Sequence, residues 1–191
     1  LKMKYFADND LRDLSGAGER TAKEMYAMHV FVAHHNVDIW RMTTPVGGCA
    51  VWAFWPMSPG WFCEHIFAHY EYTMDEKYLR ETAYPIMKKS AEFYCDYLVE
   101  YKDGYLIAAP STSPENNFVL NGSSCAVSQT TTMTMSIIRE LFENCIKASD
   151  ILGEDKEFAE ILKDKLDRML PFRIGKKGQL LEWYNVEKES E

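Results

Sequence analysis

Apolar residues recur along most of this chain at helical spacing, three and four apart. The clearest run lies between about Thr131 and Leu152. There Thr134, Ile138, Leu141, Cys145, Ala148 and Leu152 form one stripe, and Gly153 stands at the position of a C-terminal cap. Asp155 opens a following helix with Phe158, Ile161, Leu162, Leu166 and Met169 turned inward, and Pro171 stops it. Upstream, 18–27 reads as a short helix, and 61–72 as a helix apolar on most sides and hence buried. Asp75 is placed to cap the next element. Pro85 fits the first turn of a helix that carries Ile86, Ser90, Phe93, Tyr94, Tyr97 and Leu98 on one face.

The intervening segments carry turn chemistry. Residues 34–60 are irregular, punctuated by Pro45, Gly47, Gly48, Pro56 and Pro59. Lys102-Asp103-Gly104 is a turn, 105–109 a strand candidate and 110–122 a loop. Lys176-Lys177-Gly178 looks like a hairpin turn. The pattern predicts a mainly α fold of helix hairpins in series, with short β-hairpins in the loops. No solenoid repeat, low-complexity stretch or linker divides it, so 1–191 reads as a single unit.

Composition narrows the partners. Hydrophobic residues make up 47% and charged residues 26%, a globular balance and not a disordered one. The formal net charge of -8, without a basic patch, argues against nucleic acid. No apolar run has membrane-spanning length, so no membrane partner is expected. Five cysteines without a CxxC pair read as free, mostly buried thiols. The chain opens on Leu1 with no leader pattern, so it reads as a piece of a longer polypeptide, and its compartment is not legible from that end. Aromatics at 14% suit either a large aromatic core or a carbohydrate cleft, where flat rings stack on sugar faces.

Two stretches carry candidate chemistry. In Ser111-Thr112-Ser113-Pro114-Glu115-Asn116-Asn117 a carboxylate follows a stiff proline among small polar neighbours. Glycoside hydrolysis needs such a rigidly held acid beside the leaving oxygen. The plain alternative is a capping or turn glutamate. His34-His35-Asn36-Val37-Asp38-Ile39-Trp40-Arg41 gathers imidazoles, an amide, a carboxylate, an indole and a guanidinium, a set suited to sugar hydroxyls or to locking a core loop. Trp52, Trp55 and Trp61 stand in or beside the punctuated segment as stacking candidates or plugs. His65 and His69 share a helix face at metal-ligand spacing, but Glu64 precedes the pair where a zinc protease has its glutamate between them. No metal site and no organic cofactor are expected. Asn121-Gly122-Ser123 has the glycosylation-acceptor pattern.

The ordered series Ala33-His34-His35-Asn36-Val37-Asp38-Ile39-Trp40, Trp55-Pro56-Met57, Gly60-Trp61, Glu64-His65, Ala83-Tyr84-Pro85 and Ser111-Thr112-Ser113-Pro114-Glu115-Asn116 resembles glycoside hydrolase family 95. So do the later pieces Ile137 to Phe142, Gly178-Gln179-Leu180 and Glu182-Trp183. The resemblance implies part of an (α/α)6 barrel and an inverting exo-hydrolase of terminal α-L-fucosides or α-L-galactosides. It places the general acid at Glu115. The water-holding asparagines would lie upstream of this chain and the activating aspartate downstream, so the isolated chain should be inactive. His34, His35, Asn36, Asp38, Trp40, Trp55 and Asn116 become the expected substrate-binding set. Expected partners are a fucosylated glycan, the remainder of the same polypeptide and, through exposed apolar faces, further copies. A bacterial setting is expected, whether secreted, periplasmic or cytoplasmic. Ser58-Pro59 and Val37 depart from the family's usual residues. The rival readings are another (α/α)6 carbohydrate-active enzyme and a non-catalytic helical sugar-binding scaffold.

Overall fold

The computed structural model of the chain describes residues 16–35 and 40–185. It is mainly α. Helix α1 covers 16–26, α2 Ala50–Ala53, α3 Ser58–Thr73, α4 Glu76–Tyr78, α5 Tyr84–Tyr97, α6 Thr132–Leu152 and α7 Lys156–Arg168. Three antiparallel strand pairs lie between α5 and α6. Strand β1 (Leu98–Glu100) pairs with β2 (Leu106–Ala108). Strand β3 (Ser111–Thr112) pairs with β6 (Val127–Ser128), and β4 (Phe118–Leu120) with β5 (Ser123–Cys125) nested between them. No helix among the described residues is long and apolar enough to cross a membrane.

Helices α3, α5 and α6 pack on one another, and α7 lies against α6. Their shared interior includes Ile66, Leu79, Met87, Tyr94, Ile138 and Phe142, each fully buried and each contributing about 1.5–3 kcal/mol where the side chain is apolar. The α6 stripe read from the sequence is buried throughout. Gly153 caps α6 at φ 71°, and the Asp75 carboxylate accepts the Tyr78 N–H at 3.0 Å. Lys88 on α5 pairs with Asp155 at the start of α7, 2.7 Å away.

Several elements differ from the sequence reading. Helix α3 starts at Ser58, because Pro59 is tolerated in a first turn where its missing N–H has no partner to lose. Tyr72, expected inside, is 92% exposed in the last turn of α3, and Trp61, read as a stacking candidate or a plug, is 45% exposed. Ile161 is half exposed, being off the α7 face that buries Ala159 and Leu162. Pro85 does stand in the first turn of α5, as the sequence reading has it, but that helix is not freshly begun. The chain passes from α4 into α5 through a π-turn, Leu79–Ala83, in which the Tyr84 N–H reaches back to Leu79 O. That wider turn relieves the clash a proline makes with the preceding turn. The expected loop 110–122 contains β3 and β4, and Asn121-Gly122, at φ 52° and 80°, makes a two-residue hairpin turn.

One close approach fixes how α3 meets α5 and α6. The buried Tyr94 hydroxyl donates to Pro56 O at 3.0 Å and accepts the Gly60 N–H at 3.1 Å. A Cβ on Gly60 would stand 2.7 Å from Ile137 Cγ2 and 3.0 Å from the Tyr94 ring. Further along the same interface, burial and the neighbouring Glu140 carboxyl raise Glu64 from the ordinary 4.5 to about 7. The folded chain thus holds a proton on Glu64 that the unfolded chain has released.

Gly60→Ala should lower unfolding stability by about 1–3 kcal/mol in urea, the range for overpacking a tight core. A variant as stable as the native protein would mean that α3 can shift freely. The raised Glu64 gives a pH-dependent stability with a definite sign. Its contribution is fully present below pH 4.5 and is lost as pH rises through about 7. Glu64→Gln should flatten that part of the stability–pH profile, and an unchanged slope would remove Glu64 as its source.

Candidate active site

The loop between β3 and β4 turns on four residues, Ser113-Pro114-Glu115-Asn116. The Asn116 N–H closes the turn on Ser113 O at 3.1 Å. Proline presets the second position, and the third must be left-handed, as in a type II turn. Glu115 takes that third position at φ 59°. A left-handed backbone costs an L-residue other than glycine about 1–2 kcal/mol. Glu115 is nonetheless held there, and it is exposed.

Three distant segments hold the turn. From α2, Val51 O accepts the Glu115 N–H at 3.1 Å, and Phe54 O accepts the Thr112 hydroxyl at 2.6 Å. From the start of α6, the hydroxyls of Thr131 and Thr134 form a triangle with that of Ser111 on β3, with sides of 3.0, 3.0 and 2.9 Å. Thr131 also bonds Thr112 O. From near the C-terminal end, the Glu182 carboxylate accepts the Ser113 hydroxyl through Oε1 and the Asn116 amide through Oε2, the latter at 2.6 Å. The Glu182 backbone is itself tied to α6, since the Thr132 N–H donates to Glu182 O at 2.9 Å. The neighbouring Trp183 is fully buried against Phe118.

The expected substrate-binding residues fall into distinct environments. His34 is buried, and both ring nitrogens are engaged. Thr43 O can only accept, so Nδ1 carries the proton and donates to it at 2.8 Å, while Nε2 accepts the Tyr26 hydroxyl at 2.7 Å. Burial lowers its pKa and keeps this tautomer neutral. His35 is half-buried, its N–H bonded to Trp55 O and its ring edge-on to Trp55. Asn36 and Asp38 lie outside the described residues. Trp40 is 79% exposed. Trp55 is buried edge-on against Trp61. The buried atoms Trp55 Nε1 and His35 Nδ1 have no hydrogen-bond partner among the described residues. Asn116 uses both ends of its amide within the loop, donating to Glu182 and accepting the Asn117 N–H at 3.0 Å.

The segment 51–55 is the shared neighbour of the two sequence motifs. It touches His34 and His35 through Phe54 and Trp55, and the carboxylate turn through Val51 and Phe54. Its exposed indole is Trp52, one residue from the carbonyl that holds Glu115, with Gly48 against its ring edge. Sequence reasoning had Trp52 only as one of three candidate rings and missed the part played by Glu182. The Glu182 contacts span 66 and 69 residues, so no local spacing announces them. No cluster of three or more metal-ligating side chains occurs among the described residues, and the His69 ring lies edge-on to Tyr78.

Helix hairpins that hold a carboxylate on a pinned turn beside an exposed indole, Trp52, suit a carbohydrate-active catalytic domain. The chain belongs to glycosyl hydrolase family 95: the model of that family's catalytic domain matches residues 7–191. It is 40% identical over 169 residues to alpha-L-fucosidase 2 of Arabidopsis thaliana, a match covering 87% of this chain and 20% of that protein. It is 30% identical over 172 residues to probable alpha-fucosidase A of Aspergillus niger, covering 87% and 21%. The chain thus spans about a fifth of the length of these relatives.

Glycine adopts a left-handed backbone without strain. Glu115→Gly should therefore leave the thermal midpoint unchanged or raise it, whereas Glu115→Val, whose β-branched side chain crowds a left-handed backbone further, should lower it. A marked loss of stability in the glycine variant would show that the Glu115 side chain supports the fold, against a functional reading of its strain.

Proposed function

We propose that the full-length protein is an α-L-fucosidase and that Glu115 is its general acid. The observation that carries this reading is the conformation of Glu115. An exposed carboxylate is held in a left-handed backbone by three separate segments, although glycine would relieve the strain. Backbone strain that persists under such constraint concentrates at functional sites. The substrate class is supported by family 95 membership and by the fucosidase names of both relatives. The helix hairpins would form part of an (α/α)6 barrel completed by the rest of the polypeptide, which would also supply the water-activating groups.

In the reaction, Glu115 gives its proton to the glycosidic oxygen as the C1–O bond breaks. Water attacks C1 from the opposite face, and the anomeric centre inverts, releasing β-L-fucose and the alcohol. The base would stand roughly 6.5–9.5 Å from Glu115, leaving room for that water. The environments described above divide the supporting roles. Trp52 and Trp40 offer exposed indole faces for the sugar, whereas Trp55 Nε1 and His35 Nδ1, buried and without a hydrogen-bond partner among the described residues, lie out of its direct reach. His34 and Asn116 have their polar atoms engaged within the chain and act as supports.

In the full-length protein, Glu115→Gln should lower kcat on a fucosylated oligosaccharide by about 10²–10⁴-fold, the usual contribution of a positioned acid. Retention of native turnover would overturn the assignment.

A further inference from the structure

We infer that Glu182 is a positioning residue for Glu115, clamping the two side chains on either side of the acid and so fixing where its carboxyl stands. The inference rests on the reading of Glu115 as the general acid. Closure of the turn by Asn116 N–H and its tether to Val51 O hold the backbone in register. The bonds of Ser111 and Thr112 fix the strand that enters the turn. Glu182 alone among the described residues grips the side chains on both flanks of the acid: one carboxylate oxygen takes Ser113, the residue before Pro114-Glu115, and the other takes Asn116, the residue after.

The clamp suits this task physically. Hydrogen bonds to an ionised carboxylate are roughly twice as strong as neutral ones, and a two-point grip sets orientation as well as position. The donors are themselves short side chains with little freedom, and Asn116 is also held at its other end by the Asn117 N–H. The clamp stands on a rigid base, because Glu182 O is bonded at the start of α6 and Trp183 is fully buried. Those anchors are backbone and indole contacts, so they remain when the Glu182 side chain is changed. Removing the carboxylate should therefore loosen the turn without unfolding its surroundings. A displacement of about 1 Å at a reacting group can cost on the order of 10²-fold in rate.

The test uses the full-length protein with two substrates. A fucosylated oligosaccharide has a leaving oxygen that needs a proton, and α-L-fucosyl fluoride has a leaving group that barely does. Glu115→Gln should lose far more activity on the oligosaccharide than on the fluoride. Glu182→Ala should show the same split with a smaller amplitude, about 10–100-fold in kcat on the oligosaccharide with KM little changed. Glu182→Gln, which keeps one acceptor, should recover part of that loss. Equal losses of Glu182→Ala on both substrates would mark a general structural role and overturn the inference, as would no loss on either. If Glu115→Gln splits the substrates and Glu182→Ala does not, the clamp fails and the acid assignment stands. If Glu115→Gln shows no split, the acid assignment itself fails and the clamp falls with it.

Discussion

The hydroxyl of Thr131 is the junction on which the site depends. It accepts the Thr134 N–H and so caps the longest helix, α6, at its start. It also touches Ser111, Thr134 and the carbonyl of Thr112. A capping side chain ordinarily satisfies one orphan donor of one helix. This one also joins that helix to the strand leading into the Glu115 turn. On either side of Thr131, backbone bonds from Thr132 to Glu182 O and from Tyr184 to Thr130 O bring in the segment that carries the clamp. Core packing thereby sets the position of a surface carboxylate.

The strain at Glu115 is small beside what holds it. A left-handed residue costs about 1–2 kcal/mol. Each neutral hydrogen bond contributes about 0.5–1.5 kcal/mol net, and bonds to charged groups about 1.5–3. The Val51 tether and the Glu182 clamp together outweigh the cost, so the turn keeps its shape without glycine. Glycine there would give the same turn and no acid.

What was legible in the sequence follows the range of the forces involved. Local signals read correctly: the α6 stripe, the Gly153 cap, the Asp75 cap and the hairpin at Lys176-Lys177-Gly178, across which Ile174 faces Leu180. Errors arose where tertiary context overrode local rules. Pro85 was read correctly into a first turn, but nothing local reveals the π-turn that joins its helix to α4. Trp52 and Trp55 stand three residues apart in one punctuated segment, and only the fold exposes the first and buries the second. In the candidate site, Pro114-Glu115 was visible as a stiffened carboxylate. Glu182 was visible only as part of a family resemblance, because its partners lie 66 and 69 residues away.

The strap that carries Glu182 has a further consequence. Residues 181–185 are no helix, yet Leu181 and Trp183 are buried and backbone bonds join the segment to Arg173, Thr130 and Thr132. Segments tied into a core in this way open only at the high end of the scale of local openings. The outside grip on the carboxylate turn therefore lasts as long as the start of α6 does, and the two share one melting transition.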